Sequence, residues 1–545
     1  MALEMDQTQT AGLRDQAFLA LRAAMPAANL EAALRCSARL VAALPHRDLD
    51  RNLVLVAYGG GKDSSYTLAF VRAMQLILFR VYGTTFRLRA ATNRHAGMPR
   101  AVLENIDREY QALRVGADPD CELLLIDGNE VTPFDVDSPQ RDHVVRRNRL
   151  DILMTGHRTF ADGRPTFCNA CNLSVVNSFG LAASYGEGAD LIITGDSEQE
   201  QRQYSLWVSR LARRIDRVGV DQARTAPAIP APATTAPATT APATTAPATP
   251  AAGTAPPARR PGGAAGGSGM GRLLSHLDRI AQSYFADIHG PDAAEAIAER
   301  RVTSDVPDRL QFFSIYTDTQ YAAGDHMDLL TSFLGFRFDD LAFSFTESDC
   351  GNPALMAHLR GLKCERVFQR RYAEGIAEYV EFALGLMRKK DFPPELVELM
   401  RGRYDGPDAV ERMRAAANEY AMETFGLAEE QLVCMAYSPF AGKGAGLDVF
   451  LRREHPALAE QVDAVHALLA DGSHDAPDLA RDLTRISGLE LPQLRVLYRS
   501  SVRSPGGGAG AEVIDAVLVG DPHKAIIRTR HTQNGPNTLE QISGR

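Results

Sequence analysis

Residues 54–70 read VLVAYGGGKDSSYTLAF. An apolar run stops at three glycines, and a lysine, an aspartate and two serines then lead into a helical pattern. A strand that runs into a glycine turn and then a helix makes an anion site. The helix N-terminus offers unpaired N–H groups and partial positive charge, and glycines let the backbone approach anionic oxygens closely. Phosphate is the expected guest. Two familiar phosphate loops do not fit. A Walker A loop needs Ser or Thr directly after its lysine and a glycine where Val56 stands, whereas Lys62 precedes Asp63. A dinucleotide fingerprint needs a third glycine where Ser64 stands.

Outward from this turn, strand and helix patterns alternate. LVLVAY (53–58), TFRLRAATN (85–93), CELLLIDG (121–128), ADLIITGD (189–196) and RLQFFSIYTD (309–318) read as strands. Helical periods fill 10–45, Ser64 to about Leu78, 101–116, 172–188, a segment from Ser205 and another after residue 325. The expected fold class is α/β: a parallel five-stranded sheet with helices on both faces. The Ala, Pro and Thr repeat at 231–250, with its glycine-rich sequel, cannot bury a core, so 222–270 reads as a disordered linker inserted within that domain. The expected organisation is a helical segment at 1–50, the α/β domain at 51–221 and 271–365, and a mainly helical C-terminal domain at 366–500. A flexible joint with a short β element, hairpin-like at 511–535, fills 501–545.

The 545 residues allow about two to four domains. Hydrophobic content of 45% and charged content of 23% are those of a soluble globular chain. A net charge of −9 disfavours a surface coated for nucleic acid, and the local basic runs 144–150 and 210–217 read as solvated helix faces. No secretion signal and no stretch of membrane-spanning length is seen, so a cytoplasmic protein is expected. Seven cysteines (Cys36, Cys121, Cys168, Cys171, Cys350, Cys364 and Cys434) are an odd count and no disulfide framework. Cys36, Cys121 and Cys434 lie in apolar periodic runs and read as core.

The glycine turn resembles the PP-loop, Ser-Gly-Gly-x-Asp-Ser, of the ATP pyrophosphatases, the adenine nucleotide α-hydrolase-like enzymes of HUP-like fold. Gly60, Gly61, Lys62, Asp63 and Ser64 match it, directly after the first strand; Gly59 replaces the first serine and removes a hydroxyl. The resemblance implies that the loop holds the pyrophosphate end of ATP with Mg²⁺, and that the substrate attacks the α-phosphorus. The implied ATP-binding set is Gly59, Gly60, Gly61, Lys62, Asp63, Ser64, Ser65, Thr92, Asn93, Gly195 and Asp196, with Lys62 and Asp63 also catalytic. Thr92, Asn93 and Arg94 end the second strand, where parallel sheets bind ligands.

A second signal is Cys168-x-x-Cys171, ahead of a helix that leads into the fourth strand and Gly195-Asp196. That order resembles the tRNA-cytidine thiolating branch of the family. The segment FTESDCGNPALMAHLRG (345–361) resembles a segment of the tRNA-lysidine synthetases, and Cys350 sits where thiolating relatives supply another cysteine. The resemblance implies that Cys168, Cys171 and Cys350 hold a 4Fe-4S cluster with one open iron, Cys350 counting as catalytic. A zinc site, with His157 or Cys364 as fourth ligand, is the rival, and a plain loop cysteine the third reading. His358 and Arg360 read as a solvated helix face that could instead reach a phosphate. Asp521, His523 and Lys524 read as a hairpin turn that could cap the site.

The expected activity is ATP-dependent adenylation of a carbonyl or amide oxygen, followed by displacement of AMP. Sulfur is the favoured nucleophile; an amine or ammonia, as in the N-acetyl-sugar amidotransferases, is the alternative. A non-catalytic nucleotide-binding protein with a degenerate loop is another. The charge favours a small-molecule or carrier-protein-bound substrate over tRNA. A sulfur or ammonia donor protein is an expected partner, and a homodimer is allowed.

Overall fold

The structure is a computed structural model that describes residues 7–195, 198–225, 269–290, 293–319, 326–339, 341, 350–389, 392–470, 476–503, 512–521 and 524–543. Two helices, α1 (Gln7–Ala24) and α2 (Ala27–Ala43), precede the first strand, β1 (Leu53–Ala57). Then follow α3 (Lys62–Tyr82), β2 (Arg87–Asn93), α4 (Arg100–Ala112), β3 (Cys121–Asp127) and β4 (Glu130–Pro133). Next come α5 (Asp142–Arg158), α6 (Gly163–Ser184), β5 (Leu191–Ile193), α7 (Glu198–Thr225), α8 (Gly269–His289) and β6 (Gln311–Phe312).

These six strands form one sheet in the order β4-β3-β2-β1-β5-β6. All neighbours are parallel except β3 and β4. The five expected strands are therefore present and mutually parallel, and the sheet has one more. β4 is a short antiparallel edge made by the two-residue turn Gly128–Asn129, which pairs Asp127 with Glu130. The fifth strand is only two residues long. The helix expected after it is a single π-helical stretch, Leu329–Phe333.

Strand side chains alternate between two cores, as the pleat requires. Leu53 and Leu55 of β1 belong to one core, and Val54 and Val56 to the other. The second core is closed by α1 to α4. The first runs from the opposite sheet face through α5, α6 and α8 into the C-terminal helices, taking in Leu432, Phe450 and Leu497 without a break.

The chain steps outward from β1 to β2 and β3, then crosses back to place β5 on the other side of β1. The strand order reverses between β1 and β5. In open α/β sheets, the crevice outside the carboxyl ends of the strands at such a reversal is where ligands bind.

The expected linker falls outside the described residues at 226–268, and its edges are helical. α7 runs to Thr225 and α8 starts at Gly269. Asp216 of α7 pairs with Arg279 of α8 at 3.5 Å. The two helices thus pack on each other, and both bring side chains into the first core. At the C-terminus, the expected hairpin at 511–535 is instead a helix, Val513–Gly520, followed by a hairpin of β7 (Lys524–Thr529) and β8 (Thr538–Ser543). Among the described residues no helix is long and apolar enough to cross a membrane.

Candidate active site

The glycine turn leaves β1 at Tyr58, whose N–H donates to the Ala91 carbonyl at 3.0 Å. Gly60 has φ +74°, and a Cβ there would lie 2.7 Å from Ile106 on α4. Only glycine meets both conditions. Gly61 is the N-cap of α3 in extended backbone. Its carbonyl accepts the Ser65 N–H at 2.9 Å, the Ser64 hydroxyl at 2.9 Å and the Ser65 hydroxyl at 3.0 Å. The first turn of α3 is thereby tied to the loop, and the expected helix start at Ser64 moves back to Lys62.

Lys62 Nζ lies 2.6 Å from Asp63 Oδ1 and 5.0 Å from the centre of the Phe392 ring. The lysine is mostly covered, at 12% side-chain exposure, while Asp63 is 45% exposed. Phe392 belongs to the C-terminal helical part, so that part roofs the loop. Gly195, two residues past β5, completes the crevice: a Cβ there would touch the Asp63 backbone carbon and Ser64 nitrogen at 3.8 Å. Asp196 lies outside the described residues.

At the end of β2, Thr92 and Asn93 are buried. Asn93 Oδ1 accepts from the Ser174 hydroxyl on α6 at 3.2 Å, and among the described residues its Nδ2 has no hydrogen-bond partner. Arg94 is an internal anchor, paired with Asp127 at 2.8 Å and with the Pro139 carbonyl at 3.0 Å.

Ser174 brings in the cysteines, because Cys168, Cys171 and Ser174 recur at a spacing of three on α6. The helix opens at Gly163, with Pro165 in its first turn, so both cysteines lie inside it rather than at its start. The side-chain nitrogen of Asn352 is 4.0 Å from Cys168 Sγ and 3.9 Å from Cys171 Sγ. Tyr420 donates to the Gly97 carbonyl at 2.7 Å and to Asn352 Oδ1 at 3.2 Å. Its hydroxyl is held far above the usual phenol range, first by burial and then by the neighbouring Cys350, Cys171 and Cys168. All three cysteines therefore share the surroundings of Tyr420 and Asn352. Gly97 and Gly351 admit this packing: a Cβ would meet Asn352 at 2.5 Å in the first case and the Tyr420 ring at 2.7 Å in the second. The seven cysteines carry no disulfide. Among the described residues, no group of three or more His, Cys, Asp or Glu side chains converges so as to hold a metal ion.

The other candidates have different roles. Cys364 lies 3.7 Å from Arg370 and 3.8 Å from Glu378, in a separate network. His157 is wholly buried 5.7 Å from the Phe440 ring centre, and burial pushes it down to about 3. His358 and Arg360 do not form a solvated face. His358 bonds Tyr372 at 2.7 Å and Asn418 at 3.0 Å, while Arg360 pairs with Glu378 at 2.7 Å and Glu540 at 2.9 Å. Asp521 ends the helix before β7 and pairs with Arg164 at 3.0 Å. Lys524 opens β7, and His523 lies outside the described residues. Of the expected core cysteines, Cys36 and Cys434 are buried and Cys121 is half-buried. An open cleft of about 560 Å³, lined by Glu365, Arg366, Gln369, Arg414, Arg453 and Glu454, lies among the later helices and contains none of the expected site residues.

Asn352, Tyr420, Ser174, Tyr58 and Glu109 belong to these surroundings and were not singled out by sequence. Asn352 stands two residues after Cys350, the one signal that pointed toward it. Comparison with protein-family models, curated proteins and solved structures finds no match to this chain.

Proposed function

We propose that the chain is an ATP-dependent adenylating enzyme with a HUP-like PP-loop domain. It cleaves ATP between the α- and β-phosphates, releases pyrophosphate and leaves AMP on a substrate carbonyl or amide oxygen. One observation carries the reading: the glycine turn and Gly195 meet at the carboxyl ends of β1 and β5, where the strand order reverses. Oxygen is a poor leaving group until it carries AMP. The N–H groups at the start of α3 and the Lys62 ammonium stabilise charge that develops on the phosphates, and Asp63 orients that ammonium. Mg²⁺ neutralises the phosphate oxygens themselves.

Sulfur is the favoured nucleophile, because three soft thiols share one neighbourhood on the same carboxyl edge. Cys168, Cys171 and Cys350 would hold a 4Fe-4S cluster, which when bound supplies a site for an activated sulfide. Thiolates on separate irons stand farther apart than thiolates around one zinc ion at about 2.3 Å each. Among the described residues no three such side chains converge on one ion, and the fourth ligands that zinc would need lie elsewhere, Cys364 against Arg370 and Glu378 and His157 against Phe440. The same lack of convergence favours, as second reading, an amine or ammonia nucleophile with the cysteines structural. A net charge of −9 supports a small-molecule or carrier-bound substrate over tRNA.

The test is anaerobic purification of wild type and Cys350→Ala, with absorbance, iron, sulfide and zinc analysis, beside pyrophosphate release from ATP. A band near about 400 nm with about four irons per chain, lost in the variant, supports sulfur transfer. No iron, with pyrophosphate released in the presence of an amine, supports the second reading. Tight ATP binding that never yields pyrophosphate refutes catalysis, and no ATP binding refutes the site.

A further inference from the structure

Directly behind the glycine turn lies a buried acid. Glu109 on α4 is 0% exposed, and its carboxyl accepts a hydrogen bond from the Tyr58 hydroxyl. Tyr58 is the last residue before the three glycines. Ser65, whose hydroxyl binds the Gly61 carbonyl at 3.0 Å, faces the same carboxyl. Ile106, which Gly60 nearly touches, is one turn before Glu109 on the same helix. The acid, the phenol and the serine thus join α4, β1 and α3 beneath the turn.

We propose that Glu109 is a positioning residue for the glycine turn, and that anion binding at the turn is coupled to the proton Glu109 carries. The proposal rests on the nucleotide reading of that turn. Uncharged, the carboxyl holds Tyr58, and with it the end of β1, without adding charge. Ionised, it sets a negative charge in a low-dielectric interior on the protein side of a phosphate site. Phosphate binding therefore draws a proton from solvent onto the carboxylate, and loss of that proton weakens phosphate binding by the same factor. The groups facing Glu109 are Tyr58 directly after β1, Ser65 from α3, and Arg108 and Tyr110 from α4 itself, with Thr92 of β2 against Tyr110. Arg108 is the only cation among them. It is directed to the Gly335 carbonyl at 2.9 Å and is the weakest influence on the acid. Burial is the strongest, and it pushes Glu109 up to about 8.

The test is calorimetric titration of wild type, Glu109→Gln and Tyr58→Phe with the magnesium complex of α,β-methylene-ATP, from pH 7 to 9.5 in two buffers of different ionisation heat. Wild type is expected to lose about fivefold or more in affinity across that range and to take up protons on binding above pH 8. Glu109→Gln is expected to bind with flat affinity and no such uptake. Tyr58→Phe removes a donor to the carboxylate, so its fall moves to higher pH; it also serves if Glu109→Gln fails to fold. Any ionisation outside this pair affects all three proteins alike and cancels in the comparison. A flat wild-type profile, or the same fall in Glu109→Gln, overturns the coupling and leaves the nucleotide site standing. No binding by wild type at any pH overturns both.

Discussion

Replacing Gly60 by alanine tests the turn most directly. The residue sits at φ +74°, where a side chain costs about 1–2 kcal/mol. The new methyl would lie 2.7 Å from Ile106 Cδ1 and Cγ1 and 2.9 Å from Val102 Cγ1. Both neighbours are fully buried, so neither can swing away, and overpacking of this kind costs about 1–3 kcal/mol. The sum is a loss of about 2–5 kcal/mol, or relief of the clash by a shift of the turn. The assay is urea unfolding followed by circular dichroism, with nucleotide binding measured on the folded variant. The double variant Gly60→Ala with Ile106→Ala opens room for the methyl, though Ile106→Ala carries its own cavity cost. A double-mutant cycle should show favourable coupling equal to the packing part, while the backbone cost remains. A loss below about 1 kcal/mol with unchanged nucleotide binding would refute the claim that the turn is built around glycine geometry.

Three other perturbations have defined outcomes. Burial pushes Glu540 up, but Lys363 and Arg360 outweigh it and hold the acid at about 2. Its contribution is therefore present above the ordinary carboxylate value and lost as pH falls through 2, so acid unfolding should cost wild type up to about 3 kcal/mol more than Glu540→Gln between pH 5 and 2. Glu109 is raised to about 8, so its contribution has the opposite sense, present below pH 4.5 and lost as pH rises through 8. Ligand-free wild type should lose roughly 3–5 kcal/mol relative to Glu109→Gln between pH 5 and 8, read from denaturant midpoints. Replacing residues 227–267 by a Gly-Ser segment of the same length should leave the thermal midpoint within a few degrees, because α7 and α8 are held by their own packing in the shared core; a collapse of the midpoint would refute the reading of that stretch as a linker.

Period and punctuation made β1, the glycine turn and α3 legible in the sequence. The other four parallel strands were legible as apolar runs between turn residues. β4 escaped because EVTP is short, half-polar and at the sheet edge, with no apolar period to reveal it. β1, apolar throughout, could be read as a buried strand, but not that the C-terminal helices would share a core with one of its faces. The cysteines were legible as two separate signals, the Cys168-x-x-Cys171 pair and the segment around Cys350; their common neighbours were not. Tyr420 stands 68 residues from Asn352 and gives no local cue. His358, Arg360 and Glu109 show the same limit from the other side. Each reads as a polar position on a helix, and each is buried because distant chain supplies its partner: Asn418, Glu540 and Tyr58 respectively. Local pattern reports which face is apolar, not which polar group will find a partner inside.

The C-terminal hairpin explains how Cys350 can be held beside a helix it does not belong to. Ser543, at the end of β8, donates its N–H to Asp162 at 3.1 Å, and Arg164 pairs with Asp521. These contacts fix the N-terminus of α6, five residues or fewer before Cys168 on the Arg164 side. Phe160 and Ala161, just upstream, both hold positive φ, at 53° and 50°. Such a pair is costly and persists only where its surroundings over-determine it. On its other side the hairpin is joined through Glu540 and Thr529 to Arg360, on the helix Asn352–Leu362 that begins two residues after Cys350. One two-stranded element therefore grips both the helix carrying Cys168 and Cys171 and the helix next to Cys350. Loosening the grip by protonating Glu540 should disturb the relative positions of the three cysteines before it disturbs the glycine turn, which rests on the sheet and on α4. Thiol reactivity and nucleotide binding should then separate along an acid titration, with the thiols changing first. Simultaneous loss of both would mean that the hairpin is only a part of the general fold.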